Sequence, residues 1–144
     1  MELPEYITRE EVQRVCRELG IRDWTQLTEA QVLPEEAAKI QVSVGGEATE
    51  ITTAMFQRGL EIELEHGIGF SDANVTNNHP VLTGKIVLAH LKEMLDYYER
   101  LEVAELEGDI LKALAANDVV KARDKYKKLL AARLELTEAE SRVI

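Results

Sequence analysis

The sequence is short of the residues that build many-turned or cross-linked folds. Its 144 positions hold one cysteine, three prolines, eight glycines and 5% aromatic residues. A single thiol excludes an internal disulfide, which fits a reducing compartment, so a cytoplasmic location is expected. Few glycines and prolines leave too few turns for a sandwich or barrel of short strands and favour long helices. No run of about 18 apolar residues occurs, so no membrane span is expected. The first residues, Met1-Glu2-Leu3-Pro4-Glu5, lack an apolar stretch and do not read as a secretion signal. Basic charge is the last shortage: 17 Lys and Arg stand against 27 Asp and Glu, a net charge of −10. A field of that sign disfavours duplex phosphate, and no nucleic-acid partner is expected.

What is present is 45% apolar residues, enough for the core of one ordinary domain. The acids are unevenly spread. Residues 47–79 carry six acids and one base, whereas residues 108–144 carry six acids and eight bases. The middle of the chain is therefore the region that draws cations. Phosphate loops, paired CxxC motifs and serine elbows are missing.

Patterning predicts an all-α fold, a bundle of five or six helices with a small N-terminal helical subdomain. Thr8 and Glu11 stand in capping-box spacing ahead of a helix over 9–19, and Gly20 follows as a stop. Val12, Val15, Cys16 and Leu19 share one face of it, with Cys16 read as an inert buried thiol. Pro34 opens a second helix running to about residue 44, ended by Gly45-Gly46. A third is expected over 48–66, with Gly67 at a left-handed stop. A polar loop follows, and Pro80 opens a fourth helix reaching residue 106. Gly108 interrupts the pattern, a fifth helix starts near 109, and Asn117-Asp118 caps a sixth with an apolar stripe from Val119 to Leu134. The last residues, 138–144, are expected to fray. The Gly45-Gly46 pair is the expected joint between an N-terminal segment, 1–46, and a main bundle, 47–144, the two sharing one core or not.

One polar constellation stands out. Glu63-Leu64-Glu65-His66 contains Glu-x-x-His, and His90-Leu91-Lys92-Glu93 contains the reverse. Residues three apart lie on one side of a helix, so each motif presents an imidazole and a carboxylate together, a ligand set used by metal sites in helical bundles. At 100° per residue, His66 continues the stripe Ile51, Met55, Gly59 and Ile62, and His90 lies in the stripe Thr83, Ile86, Val87, Met94 and Tyr97. Both rings are thus expected in the core, where an unpaired polar group costs about 1–3 kcal/mol. Glu63, His66, His90 and Glu93, with Glu61 or Glu65 as substitutes, are the candidate ligands of a divalent transition metal, zinc, iron or manganese, with room left for water. The competing reading of the same residues is a structural His/Glu hydrogen-bond network without metal. His90 also sits roughly 15 Å along its helix, so a level hairpin would not bring it to His66.

Phe56-Gln57-Arg58-Gly59-Leu60-Glu61-Ile62-Glu63-Leu64-Glu65-His66-Gly67, then Asn74-Val75-Thr76-Asn77, then the stretch from Thr83-Gly84-Lys85 through His90-Leu91-Lys92-Glu93 to Asp96-Tyr97-Tyr98 and Leu101, resembles a family of small prokaryotic proteins that share a domain of unknown function. The likeness covers about residues 53–104. It implies a helical protein in which the Glu-rich helix and the His90 helix belong together, and it implies no activity. The family's loop is acidic before the proline, where this chain has Asn78-His79.

Two functions from different classes follow. One is metal binding, with a metal-bound water and a proton-moving carboxylate if the site is catalytic. The other is a non-enzymatic helical module that associates with itself or a partner through the stripe from Val119 to Leu134. Asn74, Thr76, Asn77 and Asn78 are further candidates to line a polar pocket with Lys85 nearby, although residues of this kind more commonly satisfy turn backbone.

Overall fold

The structure is a computed structural model that describes residues 4–142. Among the described residues it is all-α, with six α-helices, two 3-10 turns and no strand. Helix α1 spans Arg9–Leu19, α2 Pro34–Val44, α3 Thr53–Gly69, α4 Pro80–Glu93, α5 Tyr97–Ala115 and α6 Val119–Ser141. By contact density the chain forms two compact units, residues 1–90 and 91–144. The glycine joint at 45–46 lies inside the first of these, and α2 and α3 pack together across it.

In the first unit, α1 and α2 begin and end as their cap residues dictate. The Thr8 hydroxyl accepts from the Glu11 amide, and Gly20 closes α1 at φ 60°. Pro34 occupies the first turn of α2, and the Glu36 carboxylate reaches back to accept from the Leu33 amide. Glu36 is also held by the Arg22 guanidinium and the Arg22 amide. Burial pushes the Glu36 carboxyl upward, but those donors outweigh it and hold the group below its ordinary value. The core of this unit is built from Val12, Trp24, Val32, Ile40, Phe56, Leu60, Leu64 and Val87.

Helix α3 departs from expectation at both ends. It starts at Thr53, not 48, because Thr52 caps it by accepting from the Met55 amide. Residues 46–50 form a 3-10 turn instead, pinned by the Gln41 side chain, which donates to the carbonyls of Ala48 and Ile51. At the other end Gly67 stays helical and is not a left-handed stop. A Cβ there would lie 2.0 Å from Asn78 Oδ1, so the missing side chain serves close approach of the loop. Asn74 completes that contact by donating to the Gly67 carbonyl and to Asn78 Oδ1.

The second unit corrects the expected break at Gly108. The interruption falls at residues 94–96, where Tyr97 N–H bonds the Met94 carbonyl and Arg100 forks onto Asp96. Gly108 sits inside α5, and no separate helix begins at 109. Asp118 caps α6 by accepting from Lys121 N–H, and α6 holds its helical form to Ser141, past the expected fray point; residues 143–144 lie outside the described residues. Helices α5 and α6 make an antiparallel pair around Leu106, Leu129 and Ala132, with Val103 and Ile110 packed against them.

Candidate functional site

The buried face of α3 is not the face that carries His66. Phe56, Gly59, Leu60 and Leu64 are buried, while Met55 and Ile62 are half-buried. The core face is turned by about 100° from the expected stripe, because the bulky row at 56, 60 and 64 outweighs a row containing Gly59 and His66. His66 is consequently exposed, which corrects its expected place in the core; its ring stacks on Phe70 at 6.4 Å between centroids. On α4 the buried residues include Thr83, Gly84, Val87 and Leu91, so His90 lies at the edge of the core face and is partly buried.

One half of each motif does meet the other. His90 Nε2 lies 3.4 Å from Glu63 Oε1, with the side chains 30% and 17% exposed. The partner of His90 is thus a carboxylate one turn before His66, which resolves the mismatch in level along the helices. His66 and Glu63 both line a cavity of about 270 Å³ with Phe70, Asn74, Asn78 and Thr83. Glu93 is exposed and lines a different groove, of about 670 Å³, with Leu91, Asp96 and Arg100 in the second unit. Glu61 accepts from the Val32 amide while Gln57 donates to the Val32 carbonyl, so the pair satisfies the backbone of a buried residue. Glu65 is exposed. Among the described residues, no group of three or more His, Cys, Asp or Glu is arranged to hold a metal ion.

The loop asparagines line the polar cavities, but their hydrogen bonds are structural. Asn74 Oδ1 accepts from the Thr76 amide and hydroxyl, and Asn77 donates to the Ile7 carbonyl. The residue missed in the sequence is His79. It is buried, and its Nδ1 accepts from Leu82 N–H at the start of α4. Pro80 at the first helical position is the signal that marks residue 79 as the cap.

A second feature lies on the α5–α6 pair. Arg100 pairs with Glu140 and Arg133 with Glu107 on one side of the seam, and Lys125 with Asp109 on the other. At 100° per residue, Leu111, Leu114, Val119, Tyr126, Leu130 and Leu134 all fall on the first side. They are between 49% and 70% exposed. Of the stripe from Val119 to Leu134, Ala122 and Leu129 face the seam. The second side carries mixed charge, including Glu105, Lys121, Lys128 and Glu135. Lone exposed apolar residues are ordinary, but a continuous one-sided set marks an interaction surface.

The described fold is therefore that of an all-α protein with His90 set beside Glu63 and an exposed apolar side on the α5–α6 pair. Residues 12–107, two thirds of the chain, match the family described as "Protein of unknown function (DUF5661)", and the chain belongs to that family. No curated protein and no solved structure matches it.

Proposed function

We propose that this protein is a non-enzymatic helical module that self-associates through the apolar side of the α5–α6 pair. The observation carrying this reading is that six large apolar side chains lie half to three-quarters exposed on one side, with charge on the other. Between α5 and α6 the second unit buries mainly small or single aliphatic residues, Leu106, Ala113, Ala122, Leu129 and Ala132, with Val103 and Ile110 packed against them. Two helices with so thin a core gain from a second layer, as in helical bundles. The Glu63–His90 contact then serves as a structural polar pair holding α3 to α4.

Light scattering on the full chain tests this. The expected wild-type particle is heavier than the 16.2 kDa chain. Leu130→Lys is expected to give single chains with unchanged helicity by circular dichroism. A wild-type mass of one chain at hundreds of micromolar sinks the reading, as does loss of helicity in Leu130→Lys, the behaviour of a residue buried within its own chain.

A second reading is divalent transition-metal binding, favoured by the 3.4 Å approach of His90 Nε2 to Glu63 beside a polar cavity that His66 also lines. Glu63 and His90 supply two donor atoms of the right kind, His66 is the third candidate and water fills the remaining positions. Elemental analysis decides it. Zinc, iron or manganese near one per chain, lost in His90→Ala, is the supporting result. Metal-free protein whose melting temperature is unmoved by each added ion rejects it.

A further inference from the structure

The cavity formed by α3, α4 and the loop that joins them combines features that neither reading above uses. Its volume is about 270 Å³. At the ~30 Å³ that one water occupies, this is room for a ligand of about ten non-hydrogen atoms. Its rim is apolar: Phe70, Val75 and Ile86 line it and are between 37% and 83% exposed. Thr83 also lines it but is only 3% exposed, and among the described residues no hydrogen bond uses its hydroxyl. A buried hydroxyl in that position is satisfied by whatever occupies the cavity.

Glu63 sets the sign of the site. It is the one acid among the described lining residues, its side chain is 17% exposed, and no Lys or Arg lines the cavity with it. His90, 3.4 Å away, holds its carboxylate in place. The His66 and Phe70 rings stack into an aromatic wall on the same cavity. The surrounding chain, residues 47–79, adds six acids and one base. A carboxylate beside aromatic faces in an acidic setting draws a cation. Zinc sites take three or more protein ligands, and no such group of His, Cys, Asp and Glu occurs among the described residues. An organic ammonium asks for less: its N–H donors need acceptors such as the Glu63 carboxylate and the Thr83 hydroxyl, and its hydrocarbon arm gains from contact with the apolar rim. The walls are set before any ligand arrives, because Asn74 already donates to the Gly67 carbonyl and to Asn78 Oδ1, and this limits the ordering cost of binding.

We propose that this cavity binds a small organic amine in its ammonium form, with the nitrogen at Glu63 and Thr83 and the apolar arm against Phe70, Val75 and Ile86. The site stands apart from the self-associating face, and its occupant differs from the metal ion of the second reading.

Isothermal titration of the full chain with phenethylamine, run in EDTA so that no metal ion competes, tests this. Saturable binding of one amine per chain is expected. Phenethyl alcohol has nearly the same shape without the charge and is expected to bind at least about tenfold more weakly, and phenylpropionate, of opposite charge, more weakly still. Glu63→Gln is expected to weaken the amine about tenfold or more. Thr83→Val keeps the side-chain shape, removes the hydroxyl and is expected to weaken it about threefold to tenfold. Phe70→Leu changes an exposed residue outside the core and is expected to weaken the amine while leaving the alcohol unchanged. Melting curves identify which variants are folded, and if Glu63→Gln is not, the other two carry the test. Absence of saturable amine binding overturns the proposal, and zinc binding without amine binding does so in favour of the metal reading. Alcohol that binds as tightly as amine also overturns it, as does wild-type affinity for the amine in folded Glu63→Gln or Thr83→Val.

Discussion

His79 closes the N-terminus of α4 as a neutral ring, since the nitrogen that accepts from Leu82 must be unprotonated. Burial is the main force holding its pKa below the ordinary 6.5; Arg14 adds to this and Glu11 opposes it. Below about 6.5 the unfolded chain takes up a proton that the folded chain resists, so this group's stabilising effect is present above that pH and is lost as pH falls toward the folded value. A protonated ring would also set positive charge at the positive end of the helix. Stability measured by denaturant unfolding is expected to decline from pH 7 to 5 in wild type. In His79→Asn, which keeps an acceptor at the cap and removes the titration, the decline should be distinctly shallower. Equal slopes in the two proteins would show that the ring is not a pH-dependent cap.

At the scale of the element, two helical glycines have opposite roles. A Cβ on Gly108 would meet nothing within 4 Å, so Gly108→Ala keeps the fold of α5 and loses only the entropic penalty of glycine. It is expected to stabilise by about 0.5–1 kcal/mol. A Cβ on Gly84 would lie 2.7 Å from Val44, 3.0 Å from Ile40 and 3.1 Å from Phe56, at the place where α4 packs on α2 and α3. Gly84→Ala is expected to destabilise by about 1–3 kcal/mol, read as a lowered melting temperature. The pair also shows what the sequence conveys. Glycine as a helix breaker located Gly20 correctly and misplaced the break at Gly108, since only contacts between distant residues tell a packing glycine, a tolerated glycine and a stop apart. Caps with their own acceptor, Thr8, Asp118 and the proline start at Pro34, were legible because their chemistry is local. The break at 94–96 was not, because it rests on Asp96, which carries no side-chain cap bond and is instead gripped by Arg100.

For the whole molecule, fold class followed from composition and periodicity, whereas burial direction did not. Two apolar rows compete on α3, and the sequence alone does not weigh Phe56-Leu60-Leu64 against the row ending in His66. Glu63 and His90 were legible as partners by residue type, but their level along the helices depends on how α3 and α4 cross. The apolar stripe on α6 was visible as a pattern and was read as an association surface, but the sequence alone did not show that Ala122 and Leu129 turn toward α5 while the rest of the stripe stays exposed. If a second copy covers it, amide hydrogen exchange in α6 should slow as protein concentration rises, while α1 to α3 exchange at a constant rate. Concentration-independent exchange throughout would count against association by this face.

The lone thiol has a practical corollary. Cys16 lies on the buried face of α1, and burial chiefly raises its pKa, so it offers little thiolate to alkylating reagents. The native chain is therefore nearly silent to maleimide dyes and spin labels. A cysteine introduced at an exposed position such as Thr137 would be labelled almost alone, and the spacing between two such labels would report helix orientation between copies without the need to remove the native residue.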